Sequence, residues 1–292
     1  MTFKKILSII FVVLMVAGCA LSLTGCGPKK PEVSSSVKND TEHTIGYQLE
    51  MPADGEEIAI IHTSMGDIGL RLFPENAPMA VENFIALAKS GKYNGNIFHR
   101  VINDFMLQTG DYENADGTGG KPATGDEFAD EFCNTLYNIR GSVAMANGGE
   151  NTNRSQFFIN QAKPESFDRN NYDYNTLYNN YINEYNQLVA SYGFQFADMY
   201  KNADAYINDY AGGISPLSYA VPEEVWALYE ANGGNISLDG ALRAKGGHTV
   251  FAQVFNGMDV VDAIAAVEVD ENNKPKSDII ITSIEILPYK AN

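Results

Sequence analysis

The chain has 292 residues, 45% of them hydrophobic, enough for one large domain or two small ones with a substantial core. It carries 37 acidic against 20 basic residues, a formal net charge of −17. A surface of that sign repels nucleic acid and anionic lipid headgroups, which argues against a phosphate-backbone partner.

In chain order, Lys4 and Lys5 precede the run ILSIIFVVLMVAGCALSLTGC, the charged-then-apolar pattern of a secretory signal over residues 1–26. Within it, Val16-Ala17-Gly18-Cys19 and Leu23-Thr24-Gly25-Cys26 resemble the lipobox of bacterial lipoproteins. That resemblance implies lipidation of a cysteine and cleavage before it. Cys26 suits the role better than Cys19, because cleavage at Cys19 would leave an apolar stub before the polar stretch GPKKPEVSSSVKND. An uncleaved signal anchor is the alternative, since Ile6 to Leu23 could nearly cross a bilayer. Either way the main domain is expected outside the cytoplasm, lipid-anchored to a bacterial cell membrane on the first reading.

Residues 27–55, rich in Pro, Ser, Lys and Glu without apolar periodicity, read as a flexible linker to a domain over 56–288. EEIAIIHTSMGDIGLRLFP reads as a hairpin around Ser64-Met65-Gly66-Asp67. Pro78 opens a helix that places Val81, Phe84, Ile85 and Ala88 at helical spacing. FHRVINDFMLQTGD reads as a strand, and the glycine-rich loop YENADGTGGKPATGDEF follows. GSVAMAN, SQFFIN and HTVFAQVF are further strands, GMDVVDAIAAVEV a short helix, and IIITSIEILP a closing strand. Short strands with turn signals and only two core helices predict a closed antiparallel sheet.

From about 166 to 236 the texture changes to a Tyr- and Asn-rich segment, with helical spacing at Leu177, Tyr181, Tyr185 and Leu188. VPEEVWALYEANGG adds a second helix with Pro at its first turn and a Gly-Gly stop. The segment reads as a helical insertion in a loop of the barrel.

Past Cys26 only Cys133 remains, so no internal disulfide is expected. His43, His62, His99 and His248 show no metal-ligand pairing, and no CxxC or HExxH occurs, so neither metal nor other cofactor is expected. Asp116 and Asp126 lack the spacing of a calcium loop.

Four stretches occur in one order: FHRVINDFMLQTGD, ADGTGG, GSVAMANGGENTNRSQFFI and GGHTVFAQVFNGMDVVDAI. Together they make the chain from Glu57 to Leu287, the insertion excepted, resemble the cyclophilin-type peptidyl-prolyl cis-trans isomerases. The resemblance implies a mainly β fold, a closed eight-stranded antiparallel barrel capped by two helices. It implies Arg100 as the catalytic arginine, and Phe105, Met106, Phe158 and His248 as walls of a proline pocket. Gln108, Asn147 and Gln156 would bind the substrate backbone, with Gly117, Ala146 and Gly148 lining the groove.

Two positions depart from the family pattern. Gly148 stands where alanine is usual, and Ser237-Leu238-Asp239-Gly240 resembles the family's tryptophan-led segment with serine in the tryptophan place. Leu238 is therefore a pocket candidate, and a cyclosporin-type ligand would bind with altered affinity. The implied partners are proline-containing, unfolded or partly folded polypeptides. A barrel used as a chaperone or binding module with weak turnover is the alternative.

Overall fold

The structure, a computed structural model, describes residues 37–291 apart from 173, 194–199, 201, 204, 207–220 and 243–245. The leader, with Cys19 and Cys26, lies outside the described residues.

Alternation of apolar residues in the first hairpin sets the architecture. Strand β1 (Glu57–Thr63) pairs antiparallel with β2 (Gly66–Leu72), Ile61 opposite Ile68 and Ala59 opposite Leu70, and these four side chains are buried. Six more strands follow among the described residues: β3 (Arg100–Ile102), β4 (Met106–Thr109), β5 (Ser142–Met145), β6 (Phe157–Asn160), β7 (Val250–Asn256) and β8 (Ile281–Pro288). All pair antiparallel in one eight-stranded sheet of order β3-β4-β6-β5-β7-β2-β1-β8. Its outer strands approach each other only just before they begin, through an isolated bridge between Ile97 and Ile280. The sheet is therefore curled, and the expected full closure goes further than these ladders do.

Helix α1 (Pro78–Lys89) starts on the expected proline and buries Ala80, Val81, Phe84, Leu87 and Ala88. Between β6 and β7 lie α2 (Tyr174–Tyr192) and α3 (Glu223–Asn232), where helical spacing predicts helices; α3 is closed by Gly233 at φ 73°. Helix α4 (Met258–Ala265) follows β7. Helices α1 and α4 share one core with the inward faces of the strands, centred on Phe84, Phe98, Phe157 and Phe251. Helix α3 belongs to a second cluster, packing Val225, Trp226, Leu228 and Tyr229 against Phe132, Tyr137, Ile139 and Ile236.

Two expectations need correction. FHRVINDFMLQTGD is not one strand: it folds back as a hairpin, because Asp104 adopts the left-handed φ of 59° that Asp tolerates better than most residues. The Asp104 N–H donates to Gln161 Oε1 and its carboxylate accepts from the Lys163 N–H, so the turn is anchored on both sides. The second correction concerns the linker, which from residue 37 onward is a strap laid on the domain. Lys38 forms a parallel bridge with Cys133, and Tyr47 and Gln48 sit in a 3₁₀ turn and are buried. Composition hid this because the strap docks through a few residues of the right shape and not through a periodic face.

Gln48 is the strongest of them. Its amide donates to the Tyr137 carbonyl (3.1 Å) and to Gln253 Oε1 (3.0 Å), and accepts from the Tyr137 N–H (2.8 Å). Gln48→Ala strands both backbone groups of Tyr137 in a dry site, with an expected cost of about 1–3 kcal/mol. Guanidinium denaturation of the two proteins measures it.

Candidate active site

Register across the sheet assembles the site. Arg100 pairs with Gln108, Gln108 with Phe158, Phe158 with Ala144, and Ala144 with Val250, so one transverse row crosses β3, β4, β6, β5 and β7. Neighbouring residues point the other way: Val101, Leu107, Ile159 and Val143 enter the core. On the row's own face Met106, Phe158, Ala144 and Val250 are buried, with Phe105, Ala146 and Leu238 packed against them. The hairpin turn at Asp104 makes this possible, because it returns Met106 and Gln108 alongside Arg100.

Arg100 is half-buried in this apolar wall. Its Nη1 lies 3.9 Å from Met106 Sδ and its Cζ 6.0 Å from the Phe105 ring centroid. Among the described residues no carboxylate pairs with it. A guanidinium keeps its charge and offers a rigid fan of donors, so it stands here ready for an acceptor from outside.

His248 closes the other side. Its ring meets Phe158 edge-on at 5.2 Å, and Nδ1 lies 2.9 Å from the Met145 carbonyl, which makes that nitrogen the donor. Leu238, in the 3₁₀ turn Ile236–Leu238, accepts the His248 N–H on its carbonyl at 2.9 Å. The expected pocket residues Phe105, Met106, Phe158, Leu238 and His248 are thus brought together with Arg100. The one tryptophan, Trp226, is not among them: it lies in α3, 5.0 Å from the Arg169 guanidinium.

Beside the pocket runs a cleft of about 330 Å³, lined by Gln108, Gly117, Ala146, Asn147, Gly148 and Gln156 among others. Gln108 Nε2 donates to Gln156 Oε1 (2.9 Å), and Gln156 Nε2 donates to the Gly117 (2.9 Å) and Gly119 (2.7 Å) carbonyls. Asn147 commits its side chain to the Gly247 carbonyl at 2.9 Å, while its backbone N–H and C=O have no partner among the described residues. An extended peptide would find a donor and an acceptor there. Gly148 donates its N–H to Thr152 Oγ1, so the alanine-to-glycine change leaves a side-chain-free rim. The cleft also includes Arg154 and Glu127, an ion pair with Nε–Oε1 of 2.7 Å that sequence reasoning passed over. Its only signal was the arginine inside NTNRSQFFI.

The glycine-rich loop that supplies Gly117 is folded around one carboxylate. Asp111 is 2% exposed and accepts from the backbone N–H groups of Asn114, Asp116, Gly117 and Gly119 at 2.9–3.2 Å. Gly117 has φ 92°, and a Cβ there would meet the buried His99 ring at 3.2 Å, so the loop needs glycine at that point. Burial alone would raise the Asp111 pKa; the N–H donors outweigh it and hold it at about 2 against 3.8. A depressed folded pKa gives stability present above the unfolded value and lost as pH falls toward about 2. Thermal denaturation of wild type and Asp111→Asn between about pH 5 and pH 2 should therefore converge, with roughly 2 kcal/mol separating them at the upper end.

The comparisons with known proteins agree with this geometry. The family model of cyclophilin type peptidyl-prolyl cis-trans isomerases matches residues 58–180 and 232–286. A Staphylococcus saprophyticus protein named as a peptidyl-prolyl cis-trans isomerase is 39% identical over 241 residues, 82% of this chain and 97% of that one. A Staphylococcus haemolyticus protein of the same name is 37% identical over 242 residues, covering 82% and 96%. In fold, the chain is similar to the crystal structure of a Cryptosporidium parvum cyclophilin type isomerase, with TM-score 0.51, 22% identity, and coverage of 81% of this chain and 99% of that one. With the family model and near-full-length relatives agreeing, the chain belongs to the cyclophilin-type peptidyl-prolyl cis-trans isomerases.

Proposed function

We propose that the protein is a membrane-tethered folding catalyst that accelerates X-Pro isomerisation in secreted or cell-envelope polypeptides, using Arg100 as its catalytic residue. The observation that carries the site assignment is the transverse row, which sets beside Gln108 and Phe158 a guanidinium that has no carboxylate partner among the described residues.

An X-Pro amide resists rotation because resonance gives its C–N bond double-bond character, and uncatalysed exchange takes tens of seconds or longer. The reaction breaks no covalent bond, so it needs neither nucleophile nor proton transfer. Phe105, Met106, Phe158, Leu238 and His248 hold the proline ring, while Gln108, Gln156 and the Asn147 backbone hold the flanking peptide. When the amide twists, the nitrogen lone pair is no longer shared with the carbonyl and becomes an acceptor. Arg100 donates to it, an interaction absent in either planar ground state, and the apolar wall strengthens it by excluding water.

Full closure of the barrel is supported by the Ile97–Ile280 bridge and by the bonds beside it, Phe98 N–H to Ile279 O and Ile281 N–H to Asn96 O. A helical insertion is supported by the break in the family match between residues 180 and 232. Lipid anchoring at Cys26 is supported by the Leu23-Thr24-Gly25-Cys26 tetrapeptide after an apolar run. Serine at 237 in the tryptophan place supports weakened binding of cyclosporin-type ligands.

A proline-peptide assay comparing wild type with Arg100→Ala tests the core of the proposal. Equal rates, both at the uncatalysed level, would leave only a binding module. Mass-spectrometric detection of an acylated N-terminal Cys26 tests the tether, and an intact Met1 in the membrane fraction would sink it.

A further inference from the structure

Behind the Leu238–His248 wall lies a carboxylate that the scheme above does not use. Asp239 is 1% exposed, follows Leu238 directly and pairs with His248 in a parallel bridge. Its Oδ1 accepts from the Asn138 backbone N–H (2.6 Å) and from Asn138 Nδ2 (2.8 Å). Its Oδ2 accepts from the Tyr229 hydroxyl of α3. The chain of bonds continues: Asn138 Oδ1 accepts from Asn160 Nδ2 (3.0 Å), and Asn160 Oδ1 accepts from Asn235 Nδ2 (2.7 Å). Asn235 Nδ2 also donates to the carbonyl of Phe105, at 2.9 Å.

One continuous polar network therefore begins in α3 and ends at three pocket walls, Leu238, His248 and Phe105. Tyr229, Asp239, Asn138 and Asn160 are all buried. An ionised carboxylate in such a place costs free energy that an apolar residue would not, and a buried polar network is stabilising only when every member is satisfied. Here all three donors to Asp239 point at an acceptor, so the ionised form is the one that fits.

We propose that Asp239 is a positioning residue: its carboxylate locks α3 and the Asn138 segment against the Leu238–His248 wall and so sets the width of the proline pocket. The proposal rests on the reading of that wall as the proline site.

Among the described residues, the titratable groups facing this carboxylate are Tyr229 from α3, Tyr137, Cys133 and Glu131 from the segment before β5, and His248 from the bridged segment ahead of β7, and none of these is a permanent cation. Burial raises the Asp239 pKa from 3.8 to about 7, with the Tyr229 and Asn138 donors opposing the rise. Protonation on Oδ2 makes that oxygen a donor, so the Tyr229 hydroxyl must turn to accept from it, and it removes the charge that strengthens the Asn138 bonds to Oδ1, so the links weaken and the wall loosens. Activity should therefore rise with pH through about 7. Stability should do the opposite: a folded pKa raised above the unfolded one penalises the ionised fold, so stability declines as pH rises from about 4 to about 7. A residue with a merely structural role would move both together.

The experiment measures kcat, KM and thermal stability for wild type, Asp239→Asn, Tyr229→Phe and Arg100→Ala, using a protease-free proline-peptide assay from about pH 5.5 to about 8.5. Asp239→Asn is expected to lose about tenfold in kcat/KM at the alkaline end, mainly through KM. Its profile should lack the wild-type rise, and its thermal stability there should equal or exceed that of wild type. Tyr229→Phe should raise KM severalfold and move the midpoint to higher pH. Wild-type kcat/KM and an unchanged pH profile in Asp239→Asn would overturn the inference alone. Should that variant not fold, an unmoved KM and midpoint in Tyr229→Phe overturns it. Wild type no faster than Arg100→Ala overturns the proline-site reading and this inference with it.

Discussion

Arg100→Ala should lower kcat/KM for a proline peptide by roughly two to three orders of magnitude, the range found when one preorganised transition-state donor is removed. Stability should scarcely change, because the guanidinium makes no ion pair among the described residues and its one side-chain hydrogen-bonding contact among them is a long one, to Met106 Sδ at 3.9 Å. The loss should appear in kcat with KM close to wild type, since the donor acts only when the amide is twisted. Arg100→Lys sharpens the expectation. It retains the charge and loses the planar fork, so a rate between those of wild type and Arg100→Ala would assign part of the effect to charge and part to geometry. Steady-state measurements on the three proteins decide it. A large rise in KM with kcat intact would instead mean that Arg100 holds the substrate without favouring its twisted state.

Two adjacent phenylalanines in β6 should separate folding from catalysis. Phe157 faces the core, fully buried, with ring centroids of Phe84 at 5.4 Å, Tyr93 at 5.5 Å and Phe251 at 6.3 Å. Phe157→Ala should cost about 3–5 kcal/mol, because the removed ring leaves a cavity that its neighbours cannot fill. Phe158 faces the other way, into the pocket row beside His248. Phe158→Ala should cost less stability and should impair turnover more, because it takes away the pocket wall on which the proposed function seats the proline ring. Guanidinium denaturation together with kcat/KM per folded molecule tests the pair. Matching losses of stability and activity in both variants would contradict the assignment of faces.

Most strands and helices could be read from local periodicity, because hairpin β1–β2 and helix α1 show their buried face in the spacing of their own residues. The FHRVINDFMLQTGD hairpin was not read: the polar pair Asn103-Asp104 is its one local turn signal, a short break between Ile102 and Phe105, and the positive φ of Asp104 and its anchor on Gln161 are what make it a turn. The candidate site residues were named from four stretches in family order, while the adjacency the structure gives them depends on register between strands distant in sequence. The strap was missed because Gln48 acts by hydrogen-bonding shape, which has no period. Asp239 was visible only as a letter in SLDG, and its partners Asn138 and Tyr229 lie 101 and 10 residues ahead of it in the chain. Nothing local in a sequence announces such a pairing.

The strap also has a mechanical meaning. Any pull applied to the chain ahead of residue 37 reaches Lys38, Asp40 and Gln48 before it reaches β1. Those residues are held by the Lys38 N–H to Phe132 O bond, by Asp40 against Thr135 and Asn76, and by Gln48 against Tyr137. The load is thus first borne by the segment 132–137, while the β1–β8 ladder, which joins the two ends of the domain, stays slack. With the anchoring proposed at Cys26, a pull on the leader would be met by the strap before the first strand could be peeled from the sheet.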